Sequence, residues 1–238
     1  MDFKPSVFFE ALGSNALIQG VQLTVALTVV AFVVGVLIGL VVAVLRDNRL
    51  WPVRTLAWTY IWIFRAVPTL VQLVFIWNAL PQLIPALRGA WFSPFLAASV
   101  ALSINEGAYA AEIIRGGLLS IDEGQRIAAR ALGMPPYKVF SKVVAPQLIR
   151  VVIPPTANDF ITLLKITSLA SFISLRELMT NTQTEIASSF RFAEWYAAAA
   201  IYYLVLVSIF MIGQAWLERR YVWTSARRPG AIARLAGR

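Results

Sequence analysis

Residues 16–45 carry no charge. Few features restrict a fold more. Wound as an α-helix the run is about 45 Å long, against a bilayer hydrocarbon core of about 30 Å. It predicts a helix that spans a membrane, tilts and protrudes. Within it Ala31, Gly35, Gly39 and Ala43 recur every four residues. Such a stripe lets another helix approach closely, whether as the packing surface of a transport protein or as any other helix contact. Composition agrees with a membrane chain. The protein is 59% hydrophobic and only 14% charged, where soluble domains carry about a quarter charged residues.

Four further apolar runs follow, at about 55–77, 93–118, 143–164 and 195–217. Together they predict an all-α membrane protein with five transmembrane helices. Residues 1–15 read as a short external segment, 16–217 as one transmembrane domain with a loop at about 119–142, and 218–238 as a basic tail. Residues 1–13 do not read as a signal peptide, since Asp2 and Glu10 stand where basic residues would be needed. Pro68 is expected to kink the second run. Pro146, Pro154 and Pro155 are expected to break the fourth. Residues 78–92 read as a loop, and 165–191, rich in Ser and Thr, as an external connection holding a short helix.

The net charge of +9 would suit nucleic acid, but it is carried by short loops and the tail between apolar runs. Topology explains it better. Fourteen Lys and Arg lie in the loops after the first and third runs and in the tail, and five in the remaining loops. The positive-inside rule therefore predicts that the 119–142 loop and the tail are cytoplasmic and the N-terminus outside. With no Cys and no His, disulfides, thiol catalysis and the commonest general base and metal ligand are absent. No catalytic or metal-binding residues are expected.

Charges inside the runs are costly and face protein or water. Arg65, Glu106, Asp159 and Lys165 are of this kind. They offer both signs, as a zwitterionic solute would need, and they could equally neutralise one another. Arg65 and Glu106 lead as solute-binding candidates, with Thr69, Asn158, Thr162 and Lys165 behind them. Asn105, Tyr109 and Glu112 share one helical face, and Glu112 is placed to pair with Arg115.

The 119–142 loop is the most informative stretch. Asp122, Glu123, Arg126 and Arg130 stand beside Ala128, Ala129, Ala131 and Leu132, and Gly133 and Pro135 end the run. This is a short amphipathic helix with a glycine after its C-terminus. Ile127, Ala131 and Met134 form an apolar stripe, and Asp122, Arg126 and Arg130 a charged one. So short a helix needs something to dock against.

At this point the sequence resembles a family. Ala128-Ala129, three residues, Gly133, nine residues and Val143-x-Ala145-Pro146 follow the cytoplasmic EAA loop of permease subunits of bacterial ATP-binding cassette importers. Ala108-Tyr109 with Glu112, Arg115 and Gly116-Gly117, then Gly124-Gln125, is similar to the polar amino acid branch (histidine, glutamine and arginine permeases). So are Phe64-Arg65-x-x-Pro68 with Gln72, and Pro154-Pro155 with Asn158 and Lys165-x-Thr167-Ser168-Leu169. Ile127 departs from the usual Glu of EAA, and Ile166 from a frequent Asp. The resemblance covers about residues 20–177. It implies the type I, MetI-like permease fold and an ATP-driven amino acid importer in the bacterial inner membrane. It further implies that residues around Asp122, Glu123, Gln125, Arg126, Ile127, Ala128, Ala129, Arg130, Leu132 and Gly133 couple to a partner ATPase dimer. The other expected partners are a second permease subunit, identical or homologous, an extracytoplasmic amino acid-binding protein, the amino acid itself and lipid, with no nucleic acid. This chain has no G-x-x-x-x-G-K-[ST] loop, so ATP and Mg are expected on the ATPase and no cofactor here. The competing reading is an ion-coupled secondary carrier, which the intramembrane charges would suit but which gives the loop helix no task.

Overall fold

The computed structural model describes residues 3–221. A short helix α1 (Pro5–Leu12) precedes α2 (Asn15–Arg46), the long uncharged helix. After α3 (Trp51–Ala66) the chain turns through α4 (Thr69–Val74), a π-turn at Phe75–Ala79 and α5 (Leu80–Leu83). Then come α6 (Pro94–Leu119), α7 (Glu123–Ala131), α8 (Pro136–Val139) and α9 (Ala145–Ile166). A 3₁₀ segment, Thr167–Ile173, leads to α10 (Leu178–Ser189) and α11 (Phe192–Tyr221). No strand occurs among the described residues. The basic tail expected from 218 lies mostly outside them.

The core is the pair α2 and α6. Both helices present small side chains: Thr24, Thr28, Ala31, Gly35, Gly39 and Ala43 on α2, and Ala97, Ala101, Gly107, Ala110 and Ala111 on α6, all buried. A Cβ added at Gly35 would lie 2.6 Å from Cβ and Cγ of Glu106, and one at Gly39 would lie 2.6 Å from Cβ of Ala110. The four-residue stripe is thus the seat of α6. Leu27, Leu73, Phe92, Leu102 and Leu163 belong to one continuous core cluster with Ala31 of the stripe. The α1 and α10 helices pack beside α11 through Ala11, Leu178, Ile186 and Trp195.

Three expectations need correction. The second apolar run is bent far more sharply than a proline kink: α3 and the segment from Thr69 to Leu83 meet at 103°. Val67 is extended before Pro68, as a residue preceding proline prefers, and the helix restarts in a new direction. Much of the loop expected at 78–92 is helical, through α5 and a 3₁₀ turn at Pro85–Arg88. The fourth run is not broken at its prolines. Pro146 sits in the first turn of α9, where its missing N–H costs nothing. Pro154 and Pro155 lie inside an unbroken helix, where Thr156 Oγ1 donates to Val152 O at 2.7 Å and packing on α6 and α11 holds the path.

By length and composition, two described helices can cross a membrane alone, α2 and α11, or three if the bent pair is one span. The other two expected spans coincide with α6 and α9, which are long enough but richer in polar residues. On α6 Ser99, Ser103, Asn105 and Glu106 are buried against neighbours and need no apolar surroundings.

Candidate functional site

The 103° bend frees carbonyls at the end of α3, and side chains satisfy them. Gln72 Nε2 donates to Val67 O at 2.7 Å and to Phe64 O at 3.0 Å. Asn105 of α6 donates to Phe64 O at 2.8 Å and to Gln72 Oε1 at 3.2 Å. Thr69, one of the expected solute-binding residues, donates to Asn105 Oδ1 at 3.4 Å and so belongs to this repair. Neither Gln72 nor Asn105 is exposed.

On the neighbouring face of α6, Glu106 is 5% exposed and pressed against Gly35. Its Oε1 is buried and finds no hydrogen-bond partner among the described residues; neither does Oδ2 of Asp159 on α9. The two carboxyls are near enough to interact electrostatically, and Arg65 is near enough to act on Asp159. Arg65 also lies over the ring of Tyr109, 5.4 Å from its centroid, and pairs with Glu112 at 3.8 Å. Glu112 pairs in turn with Arg115 at 3.5 Å, as the spacing predicts.

The expected solute residues thus fall into three places. Arg65 and Glu106 both lie within electrostatic range of Asp159. Thr69 mends the bend. Asn158, Thr162 and Lys165 form an exposed stripe on α9, where Thr162 Oγ1 donates to Asn158 O at 3.1 Å. Asp159 was legible as a charge in an apolar run but not as their electrostatic neighbour, because nothing in sequence ties α9 to α6. Gln72 was marked by its place after Pro68 in the family-like run and Asn105 by the face it shares with Tyr109 and Glu112, but neither reading showed that the two side chains meet at the bend. Among the described residues no group of three or more His, Asp or Glu could hold a metal.

The α7 helix is well capped. Asp122 accepts from Gly124 N at 2.7 Å, and Glu123 opens the first turn with the negative charge that an N-terminus favours. Gly133, at φ +79°, ends it in the left-handed conformation, and Met134 N donates to Ala129 O at 3.1 Å. Ala129 is buried, while Ile127 is 58% and Leu132 84% exposed. Of the expected charged stripe, Arg126 turns inward: it donates to Leu118 O at 3.0 Å and pairs with Glu123 at 3.5 Å, fastening α7 to the end of α6. Gln125 accepts from Gln147 at 2.6 Å, tying the other side to α9.

The chain belongs to the family of binding-protein-dependent transport system inner membrane components, whose model matches residues 35–223. It is 37% identical to the probable amino-acid permease protein YxeN of Bacillus subtilis (strain 168) over 203 residues, 85% of this chain and 90% of that protein. It is also 37% identical to the glutamine transport system permease protein GlnP of Escherichia coli (strain K12) over 204 residues, 86% of this chain and 92% of that protein. A solved amino acid ABC transporter with histidines matches at a TM-score of 0.81 and 35% identity, covering 92% of this chain and 99% of that one. The fold is therefore that of the type I, MetI-like importer permeases, and the chain is a multi-pass inner-membrane transport subunit.

Proposed function

We propose that this chain forms the translocation pathway of an amino acid importer driven by a separate ATPase dimer, which carries the ATP and Mg. A second permease subunit and an extracytoplasmic binding protein complete the assembly. The chain crosses the membrane five times, with α6 and α9 as the two polar spans, its N-terminus outside and α7 in the cytoplasm. Residues 16–217 form the permease domain, 1–15 an external segment and 218–238 a cytoplasmic tail.

The observation that carries this reading is α7. A nine-residue helix that turns Ile127, Ala131 and Leu132 outward is built to be covered by another protein. Asp122, Glu123, Gln125, Ala128, Arg130 and Gly133 frame that surface, while Arg126 and Ala129 hold the helix to its own chain. Ile127, in place of the family's Glu, supplies an apolar contact where a charge would stand. A carrier driven by an ion gradient would give this surface no task. The solute is an amino acid, met by Arg65, Glu106 and Asp159, with Asn158, Thr162 and Lys165 along α9 and Thr69 fixing the bend.

The test is to replace Ile127 and Ala131 with Asp together, in the assembled complex in proteoliposomes. The protein should stay in the membrane, while retention of the ATPase or hydrolysis stimulated by the binding protein should drop about tenfold, the equivalent of roughly 1.4 kcal/mol of lost contact. Wild-type retention and stimulation would remove α7 as the coupling element. Glu106→Gln should reduce uptake of the amino acid with assembly intact; unchanged uptake affinity and rate in both Glu106→Gln and Arg65→Gln would remove them from the pathway.

A further inference from the structure

Arg46 is the last residue of α2, Arg115 lies in the final turns of α6, and Arg65 lies near the end of α3. All line one cleft of about 420 Å³, and among the described residues that line it the only carboxylate is Glu112. Arg65 is also answered by Asp159, so Arg46 and Arg115 against Glu112 leave this cleft one positive charge in excess. Glu112 is shared between Arg65 at 3.8 Å and Arg115 at 3.5 Å, the latter an ion pair without hydrogen-bond geometry. The Nε atoms of Arg46 and Arg115 are both buried and find no acceptor among the described residues. Guanidinium groups whose Nε is shielded from water and left without an acceptor favour an anion with several acceptor oxygens, which they can bind in a planar, forked geometry.

The surroundings narrow the anion. The cleft is walled by Trp58 and Trp62, stacked with centroids 5.9 Å apart and planes 2° apart, and both are exposed. The two exposed indoles give the charged cleft an apolar rim. Tryptophan at a protein–lipid boundary sits at headgroup level. A soluble anion answers the arginines alone; an anion attached to acyl chains answers the arginines and the apolar rim together. The cleft lies on the α7 side of the bundle, since Asp47, next to Arg46, lines a groove with Arg126 and Arg130 of α7. We propose that this cleft binds the phosphate headgroup of an anionic phospholipid from the leaflet on the α7 side. Arg46 and Arg115 hold the phosphate, and Trp58 and Trp62 lie along the glycerol and upper acyl chains.

The test is native mass spectrometry of the full chain in neutral detergent with phosphatidylglycerol or with phosphatidylcholine of the same acyl chains. Wild type should retain phosphatidylglycerol with a preference of at least about tenfold, roughly 1.4 kcal/mol. Combining Arg46→Gln with Arg115→Gln should abolish the preference, and Arg88→Gln, remote from the cleft, should keep it. Glu112→Gln removes the competing carboxylate and should strengthen retention, a gain that a misfolded protein cannot mimic. No preference in wild type, a preference untouched by the double substitution, or weaker retention in Glu112→Gln would each overturn the proposal. So would full displacement by inorganic phosphate, which would assign the cleft to a soluble anion. None of these readings involves transport, so their failure is separate from any failure of the importer reading.

Discussion

At Gly35 a single added carbon would meet Cβ and Cγ of Glu106 at 2.6 Å. Neither helix can yield without losing its other contacts, so overpacking here should cost about 1–3 kcal/mol or more. Gly35→Leu should therefore lower the unfolding temperature of the purified protein clearly. Gly116→Ala is the control: nothing lies within 4 Å of its added carbon, and the better helix former should be neutral or gain up to about 1 kcal/mol. A second residue-scale expectation concerns Gln72. Gln72→Leu leaves Val67 O without its side-chain donor and weakens the pairing at Phe64 O, at about 1–3 kcal/mol for each buried group left unpaired. Thermal unfolding of that variant checks it, and an unchanged transition would mean the bend is held by other means. The stripe of small residues was legible because glycine at a four-residue repeat has few other uses. Its partner was not, because the small residues of α6 run around most of that helix and point to no single face.

Among the elements, α7 was the most legible. Its cap, its apolar stripe and its terminating glycine are all local rules, and local rules need no knowledge of what lies across the fold. The inward turn of Arg126 was not legible, because its acceptor, Leu118 O, belongs to the end of another helix. The caps give a prediction at this scale. Asp122→Ala should cost the helix about 1 kcal/mol, and Gly133→Asp, forced to φ +79°, about 1–2 kcal/mol. Both should speed amide hydrogen exchange across residues 123–131 while leaving α2 unchanged; equal protection in wild type and variants would show that α7 is held by its neighbours rather than its caps. The bend after α3 and the unbroken α9 show where proline reading fails. Proline fixes what a backbone cannot do locally, and side chains such as Gln72, Asn105 and Thr156 then decide whether the chain turns or continues.

For the whole molecule, the distribution of Lys and Arg argues the orientation. A chain without native Cys allows a direct check. Ser188→Cys, in α10, should react with an impermeant thiol reagent added to intact cells, and Ser225→Cys, outside the described residues, should react only after the cells are opened. The reverse pattern would invert the topology. The pairing of α2 with α6 carries a mechanical consequence. Near Gly35 and Gly39 only the side chains of Glu106 and Ala110 stand between the two helices, so there are few rotamers to reshuffle and little room to slide. The pair is a stiff strut. Arg126 pins α7 to its foot, and Glu106 stands partway along it. If α7 couples to the ATPase as proposed, a tilt imposed on it should not be absorbed along the way but arrive at Glu106 as the swing of a lever.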